Sequence, residues 1–230
     1  MDLAFLVRSL AEKASPEPAT GRLRLPTERE LVTSMEVSRG SLREQLSMLE
    51  MLGFLDRTQG RGSYLSTPDA GFIQLYFDLC IQLGHLSQEQ FTSARKMLEV
   101  SIAEAAARLA TADDVDDLRA LVDEMVKASG EGDDERALEA DLEFHRRLSL
   151  VVDNPVFNMV HDGLSHVLRS EVVERRRLAV EREPLAPGKT RVIDTVHYGI
   201  VEAISERDGE GARIAMRRHF EAWSSLTHSP

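Results

Sequence analysis

The strongest constraint on this chain is a pair of helix starts set one tight turn apart near its N-terminus. In Pro26-Thr27-Glu28-Arg29-Glu30, Thr27 is placed as an N-cap with Glu30 three residues on, the spacing at which the two side chains cap exposed amides reciprocally. Leu31 and Met35 follow one turn apart, and Val37 closes the segment. A second start comes at once at Ser38, with Arg39, Gly40 and Ser41 in its first turn. Behind them Leu42, Leu46, Leu49 and Leu52 recur as one apolar stripe. A link of a residue or two around Val37 leaves room only for a tight turn. The pair therefore predicts a helix-turn-helix, in which the N-terminal end of the second helix enters the major groove of a duplex.

After Gly53 the periodicity changes. Phe54–Arg57 and Ser63–Ser66 are short β-like runs on either side of Gly60-Arg61-Gly62, the pattern of a hairpin with a glycine-containing tip. A hairpin that follows the second helix is a wing, and Arg61 at its tip is in reach of a phosphate or the minor groove. Upstream, MDLAFLVRSLAEKA reads as a helix, and residues 15–26, SPEPATGRLRLP, as a separator rich in Pro, Gly and Ser.

A formal net charge of −11 argues against nucleic acid only until it is divided along the chain. Residues 1–68 hold nine basic and nine acidic side chains, with Arg39, Arg43, Arg57 and Arg61 closely spaced, so the whole imbalance lies downstream. Screening limits the reach of an acidic body to roughly 8–10 Å at physiological salt, which leaves a separate module able to bind DNA. With STPDAG (66–71) as the breaker, the expected domains are 1–68 and 69–230. The lone cysteine, Cys80, allows no internal disulfide and fits a reducing cytoplasm. No apolar run approaches the ~20 residues of a membrane helix, and the charged N-terminus argues against a signal peptide. A cytoplasmic location without membrane contact is expected.

From residue 70 onward the reading is helical, over 72–84, 88–110, 115–129, 134–152, 155–180, 189–206 and 209–226, with breakers at GEGDDE (130–135) and EPLAPGK (183–189). An all-α antiparallel bundle is the expected architecture, so the fold class is mainly α with a small β-hairpin wing. Asp141 and His145 lie one turn apart on one face, and SERDGEG separates the helices that carry His197 and His219. One carboxylate and three imidazoles suit Zn²⁺ or a related divalent ion. The competing reading is that a bundle with seven histidines buries some of them without any ion. Arg95 is either an anion anchor, because guanidinium meets carboxylate bidentately, or the partner of Glu99 one turn on. Asn154 is placed to cap the helix starting at Pro155, the favoured reading, or to touch a ligand. His166 and Arg169, on the long helix, are placed as cavity-lining residues. His85, His161 and His228 have no supporting pattern and read as surface residues.

The segment LPTERELVTSMEVSRGSLREQLSMLEMLGFLDRTQGRGSYL resembles the N-terminal signature of the GntR family of bacterial transcription regulators. That resemblance implies that Arg29 contacts the DNA backbone, that Ser38, Arg39, Ser41 and Arg43 open the recognition helix, and that Gln59, Gly60 and Arg61 form the wing contact. An arginine there matches guanine O6 and N7, about 1–3 kcal/mol of discrimination per good pair. Downstream, FTSARKMLE, ADLEFHRRLSLVVDNPVF, DTVHYGIVEAISERDGEGA and MRRHF resemble the FCD ligand-binding domain of the FadR-like branch. Metal-binding members of that branch place an Asp and three His where this chain has Asp141, His145, His197 and His219, so the resemblance implies a divalent ion, Zn with Ni or Mn as alternatives.

Taken together, these readings lead to a regulator, not an enzyme. It is expected to bind double-stranded operator DNA as a homodimer, to repress, and to respond to a small carboxylate effector (a sugar acid, hydroxy acid or dicarboxylate). Two other classes compete. A metal-dependent hydrolase could use the same Asp/His₃ set, but no general base or nucleophile motif accompanies it, and the wing would be unexplained. A pure dimerisation scaffold would leave the aspartate and histidines without a purpose.

Overall fold

Thr27 and Ser38 each start a helix in the computed structural model, which describes residues 2–58, 60, 62–182 and 190–227. The helices are α2, Glu28–Met35, and α3, Arg39–Met51. Both halves of the Thr27–Glu30 capping box form. Between the helices Glu36 adopts a left-handed conformation at φ 55°, and its amide donates to Val32 O, which turns the chain within three residues. Ahead of them lies α1, Leu3–Lys13. The stripe packs as read: Leu42, Leu46 and Leu49 are buried with Leu6, Leu10, Leu25, Leu31 and Leu55, while Leu52 at the end of α3 is only half-buried. Each fully buried leucine stabilises by about 1.5–3 kcal/mol relative to exposure.

The wing is a hairpin of β3, Leu55–Thr58, and β4, Gly62–Leu65. Residues 15–26 are more than the separator expected. They contain β1, Ser15–Pro16, and β2, Leu23–Arg24, which extend the wing into a four-stranded antiparallel sheet of order β1-β2-β4-β3. Gly21 closes the β1–β2 turn at φ 70°. Tyr64 donates its hydroxyl proton to Glu17 Oε1 at 2.9 Å, and the Arg22 guanidinium stacks 4.4 Å from the Tyr64 ring centre. Two-residue strands are too short to show a period-two pattern, so their signal is absent from the sequence.

The chain divides into two compact units, Met1–Leu75 and Tyr76–Pro230, with the division inside α4, Gly71–Gln82. The second unit contains α5 (Gln88–Leu109), α6 (Ala112–Gly130), α7 (Asp134–Val151), α8 (Pro155–Arg182), α9 (Val192–Thr195), α10 (Tyr198–Ser205) and α11 (Gly209–Thr227). Capping boxes at Ser87–Gln90 and Thr111–Asp114 start α5 and α6. The core joins α5, α6, α7, α10 and α11 through Ala103, Ala106, Leu118, Val122, Met125, Phe144, Ile200 and Met216, whose small members let helices approach closely. The single helix expected over 189–206 is replaced by α9 and α10, broken at Val196–His197. The break at EPLAPGK (183–189) lies outside the described residues.

Candidate nucleic-acid interface and metal centre

In the first unit, α3 begins on the exposed residues Ser38, Arg39 and Gly40, with Ser41 half-buried. Ser38 Oγ accepts from the Ser41 amide at 3.2 Å, so this hydroxyl serves the helix end, leaving its own proton to offer a phosphate. Arg29 and Arg43 are exposed. Gly60, at the hairpin tip, is exposed at φ 79°, a conformation that favours glycine. Gln59 and Arg61 lie outside the described residues. Arg57, one of the closely spaced arginines, is turned inward: its Nη2 donates to Glu28 Oε1 at 2.8 Å, and its Nη1 is 3.6 Å from Glu50 Oε2. Glu28 was not legible as part of this surface.

In the second unit, α7 supplies Asp141 and His145 one turn apart, the α9–α10 break supplies His197, and α11 supplies His219. All four are at least 97% buried. The imidazole centres of His145, His197 and His219 lie 4.4–5.6 Å apart, and one nitrogen from each falls within 4.8 Å of the others. Asp141 Oδ1 is 3.2 Å from His197 Nε2 and 4.0 Å from His145 Nε2. Beyond each other, neither Asp141 Oδ1 nor His197 Nε2 has a hydrogen-bond partner among the described residues. Leaving such buried polar atoms unsatisfied costs about 1–3 kcal/mol each, and a cation between them removes that penalty. The donor set therefore fits a divalent ion of the zinc type.

Outer contacts aim these ligands. His197 Nδ1 lies 2.9 Å from the Asp194 carbonyl, which can only accept, so this nitrogen is the donor there and Nε2 is the atom that faces Asp141. Asp194 is itself held by Arg176 at 3.1 Å. His145 Nδ1 stands 2.6 Å from Glu99 Oε2, and Glu99 Oε1 accepts from Arg95 Nε at 2.5 Å. Burial opposes the charge on Glu99, but Arg95 and His145 prevail and hold its carboxyl well below the usual range. Burial likewise opposes the charge on Asp141, yet His197, His145 and His219 hold it ionised and lowered. Burial, reinforced by the neighbouring imidazoles, pushes His219 well down; burial also lowers His145, partly offset by Glu99. His145 and His219 held toward the neutral form, beside an ionised Asp141, match the protonation states that metal ligation requires.

The site adjoins a small cavity of about 20 Å³, room for about one water, lined by Arg95, Asp141, His145, Val172, Arg175, His219 and Phe220. Arg95 pairs with Glu99, the second of its two sequence readings, and also lines the cavity. Arg175, paired with Glu171, is a second cavity cation that the sequence reading missed. The other expectations on α8 are corrected. His166 and Arg169 face outward, bound to Asp78 at 3.0 Å and Glu139 at 2.5 Å. Asn154 caps: its Oδ1 accepts from the Val156 amide at 3.0 Å. His161, expected at the surface, is 2% exposed, with Nε2 3.6 Å from Glu99. His85 is exposed, and His228 lies outside the described residues. The helical period carried the missed signal, since His161, Leu164, Leu168, Val172 and Arg175 share one face of α8, while His166 and Arg169 do not.

Comparison with known proteins agrees with this division. Residues 21–65 match the bacterial regulatory proteins of the gntR family, and residues 90–222 match the FCD domain. The HTH-type transcriptional repressor NanR of Salmonella arizonae is 30% identical over 212 residues, covering 89% of this chain and 76% of that protein. The HTH-type transcriptional regulator LutR of Bacillus subtilis is 29% identical over 192 residues, covering 83% and 84%. Among solved structures, Streptococcus agalactiae GntR shares the fold with a TM-score of 0.64 at 24% identity, covering 97% of each chain. No described helix is long and apolar enough to cross a membrane. The chain belongs to the FadR-like, FCD-containing branch of the GntR family, and it is a DNA-binding transcriptional regulator rather than an enzyme.

Proposed function

We propose that this regulator is a cytoplasmic homodimeric repressor whose operator binding is controlled by a small acidic metabolite held beside a divalent metal ion. The observation that carries the reading is the convergence of Asp141 with His145, His197 and His219, all buried and with one nitrogen of each imidazole within 4.8 Å of the others, beside a cavity lined by two guanidinium groups. Asp141, His145, His197 and His219 would hold the ion, with Zn²⁺ favoured by the imidazole-rich set and Ni²⁺ or Mn²⁺ as alternatives. Bound there, the ion would supply positive charge and open coordination positions to an effector carboxylate. Arg95 and Arg175 bring two further positive charges to the same cavity, the counter-charge that the carboxylate of a sugar acid, hydroxy acid or dicarboxylate would need. Repression follows the relatives named repressors.

On the DNA side, Arg29, Ser38, Arg39, Ser41 and Arg43 with the wing residues Gln59, Gly60 and Arg61 form the proposed contact surface, doubled on a palindromic operator by two-fold symmetry. Effector binding would then alter operator affinity, and operator binding effector affinity, by the same factor. The test is elemental analysis of the purified protein together with a thermal-shift screen of carboxylates, with and without chelator. Stoichiometric metal, lost in His197→Ala, and an effector shift that shrinks on chelation are expected. Protein that takes up no metal, or a shift indifferent to chelator, overturns the reading.

A further inference from the structure

We infer that Glu28 aims the reading surface: one carboxylate on α2 fixes Arg43 on α3 and Arg57 on β3, and thereby sharpens sequence discrimination. Glu28 Oε2 accepts from Arg43 Nε at 2.7 Å, and Oε1 accepts from Arg57 Nη2 at 2.8 Å. The inference deepens the proposed function and rests on its reading that Arg43 meets a base.

The nitrogen by which each arginine is held decides its role. Arg43 is gripped through Nε, which leaves its terminal fork, the part that spans guanine O6 and N7, for the duplex. Its side chain is 69% exposed. Arg57 is held through the fork itself, with Nη2 on Glu28 and Nη1 3.5 Å from Ser47 Oγ and 3.6 Å from Glu50 Oε2. It is 26% exposed, and its charge is matched within the protein. A carboxylate on a surface built for phosphates repels them unless cations cover it. Glu28 is covered on both oxygens, and Glu28, Glu50, Arg43 and Arg57 together carry no net charge. An unrestrained arginine samples many rotamers and pairs with any phosphate, which adds affinity without sequence information. Arg43 restrained by Glu28 gives up less freedom on meeting guanine and is less available to phosphate. Glu28 also lies in the first turn of α2, where any negative charge suits the helix end, so that simpler role must be separated.

The experiment uses the full chain as wild type, Glu28→Gln, Glu28→Asp and Arg43→Ala. Each selects from a library of duplexes with a randomised core, followed by sequencing, and each is titrated with salt on one scrambled duplex. Arg43→Ala is expected to erase preference at a particular guanine of the selected pool. An unchanged pool in that variant refutes base reading by Arg43 itself. Glu28→Gln is expected to lower the same guanine preference about tenfold, within the range of one base contact, while binding the scrambled duplex with a salt slope steeper by about one. Glu28→Asp keeps the helix-end charge but is too short to bridge both arginines, and it is expected to lose the preference as well. If Glu28→Asp retains the preference, or Glu28→Gln weakens binding to the selected pool and to the scrambled duplex equally, Glu28 only stabilises the helix and the inference fails.

Discussion

Replacing Glu99 by alanine should destabilise the helical unit more than any exposed ion-pair change. Glu99 is 1% exposed and Arg95 6%, and the two meet at 2.5 Å. The same carboxylate faces His145 at 2.6 Å and His161 at 3.6 Å. Removing one partner of a buried pair costs about 3–5 kcal/mol, because the remaining charge has lost both water and counter-ion. Arg95 borders the cavity and regains some solvent there, which places the expected loss near the lower end, about 3 kcal/mol. At roughly 2–4 °C per kcal/mol for a chain of this size, the unfolding midpoint of the helical unit should fall by about 6–12 °C. Thermal unfolding followed by the far-ultraviolet helical signal measures it. The double variant Arg95→Met/Glu99→Leu should recover most of the loss, since both charges leave together. The sign with pH is fixed as well. The Glu99 carboxyl lies well below its ordinary value of 4.5, so its contribution is complete above about pH 4.5 and is lost as pH falls through the lower folded value. The gap between wild type and Glu99→Ala should therefore close in acid. A midpoint for Glu99→Ala within about 2 °C of wild type, or a double variant no more stable than the single, refutes the reasoning.

Three further outcomes are expected. Leu46→Ala, at a position 1% exposed, should cost the DNA-reading unit about 2–5 kcal/mol, read as a lower urea midpoint with unchanged slope. Ser38→Ala removes the acceptor for the Ser41 amide and should cost about 1 kcal/mol, read in the same denaturation series. Arg175→Met should abolish thermal stabilisation by added hydroxy acids or dicarboxylates while metal content stays unchanged; loss of the metal would show that Arg175 serves the ion site rather than the anion.

The parts of this molecule legible from sequence are those whose signal is local. The Thr27–Glu30 box, the Leu42–Leu49 stripe and the one-turn spacing of Asp141 and His145 each follow from neighbouring residues, and the structure forms them as read. Pairings between distant segments were hidden. Glu28 meets Arg57 only because the wing folds back, and Glu99 meets His161 only across α5 and α8. Residue type alone points to His166 and Arg169, whereas the helical period along α8 points to His161 and Arg175. The break at His197 coincides with its side-chain hydrogen bond to Asp194 O, a contact that leaves the apolar pattern of 189–206 unchanged.

That break bears on how the centre would load. Contacts within the polypeptide aim the proposed ligands: the Asp194 carbonyl holds His197, Arg176 holds Asp194, and Glu99 holds His145. Unlike a zinc finger, whose chain condenses around its ion, a centre held in this way would exchange its occupant without refolding. Chelation should thus shift the melting curve while leaving helicity at room temperature intact, and the loaded fraction would track the free concentration of the ion in its surroundings.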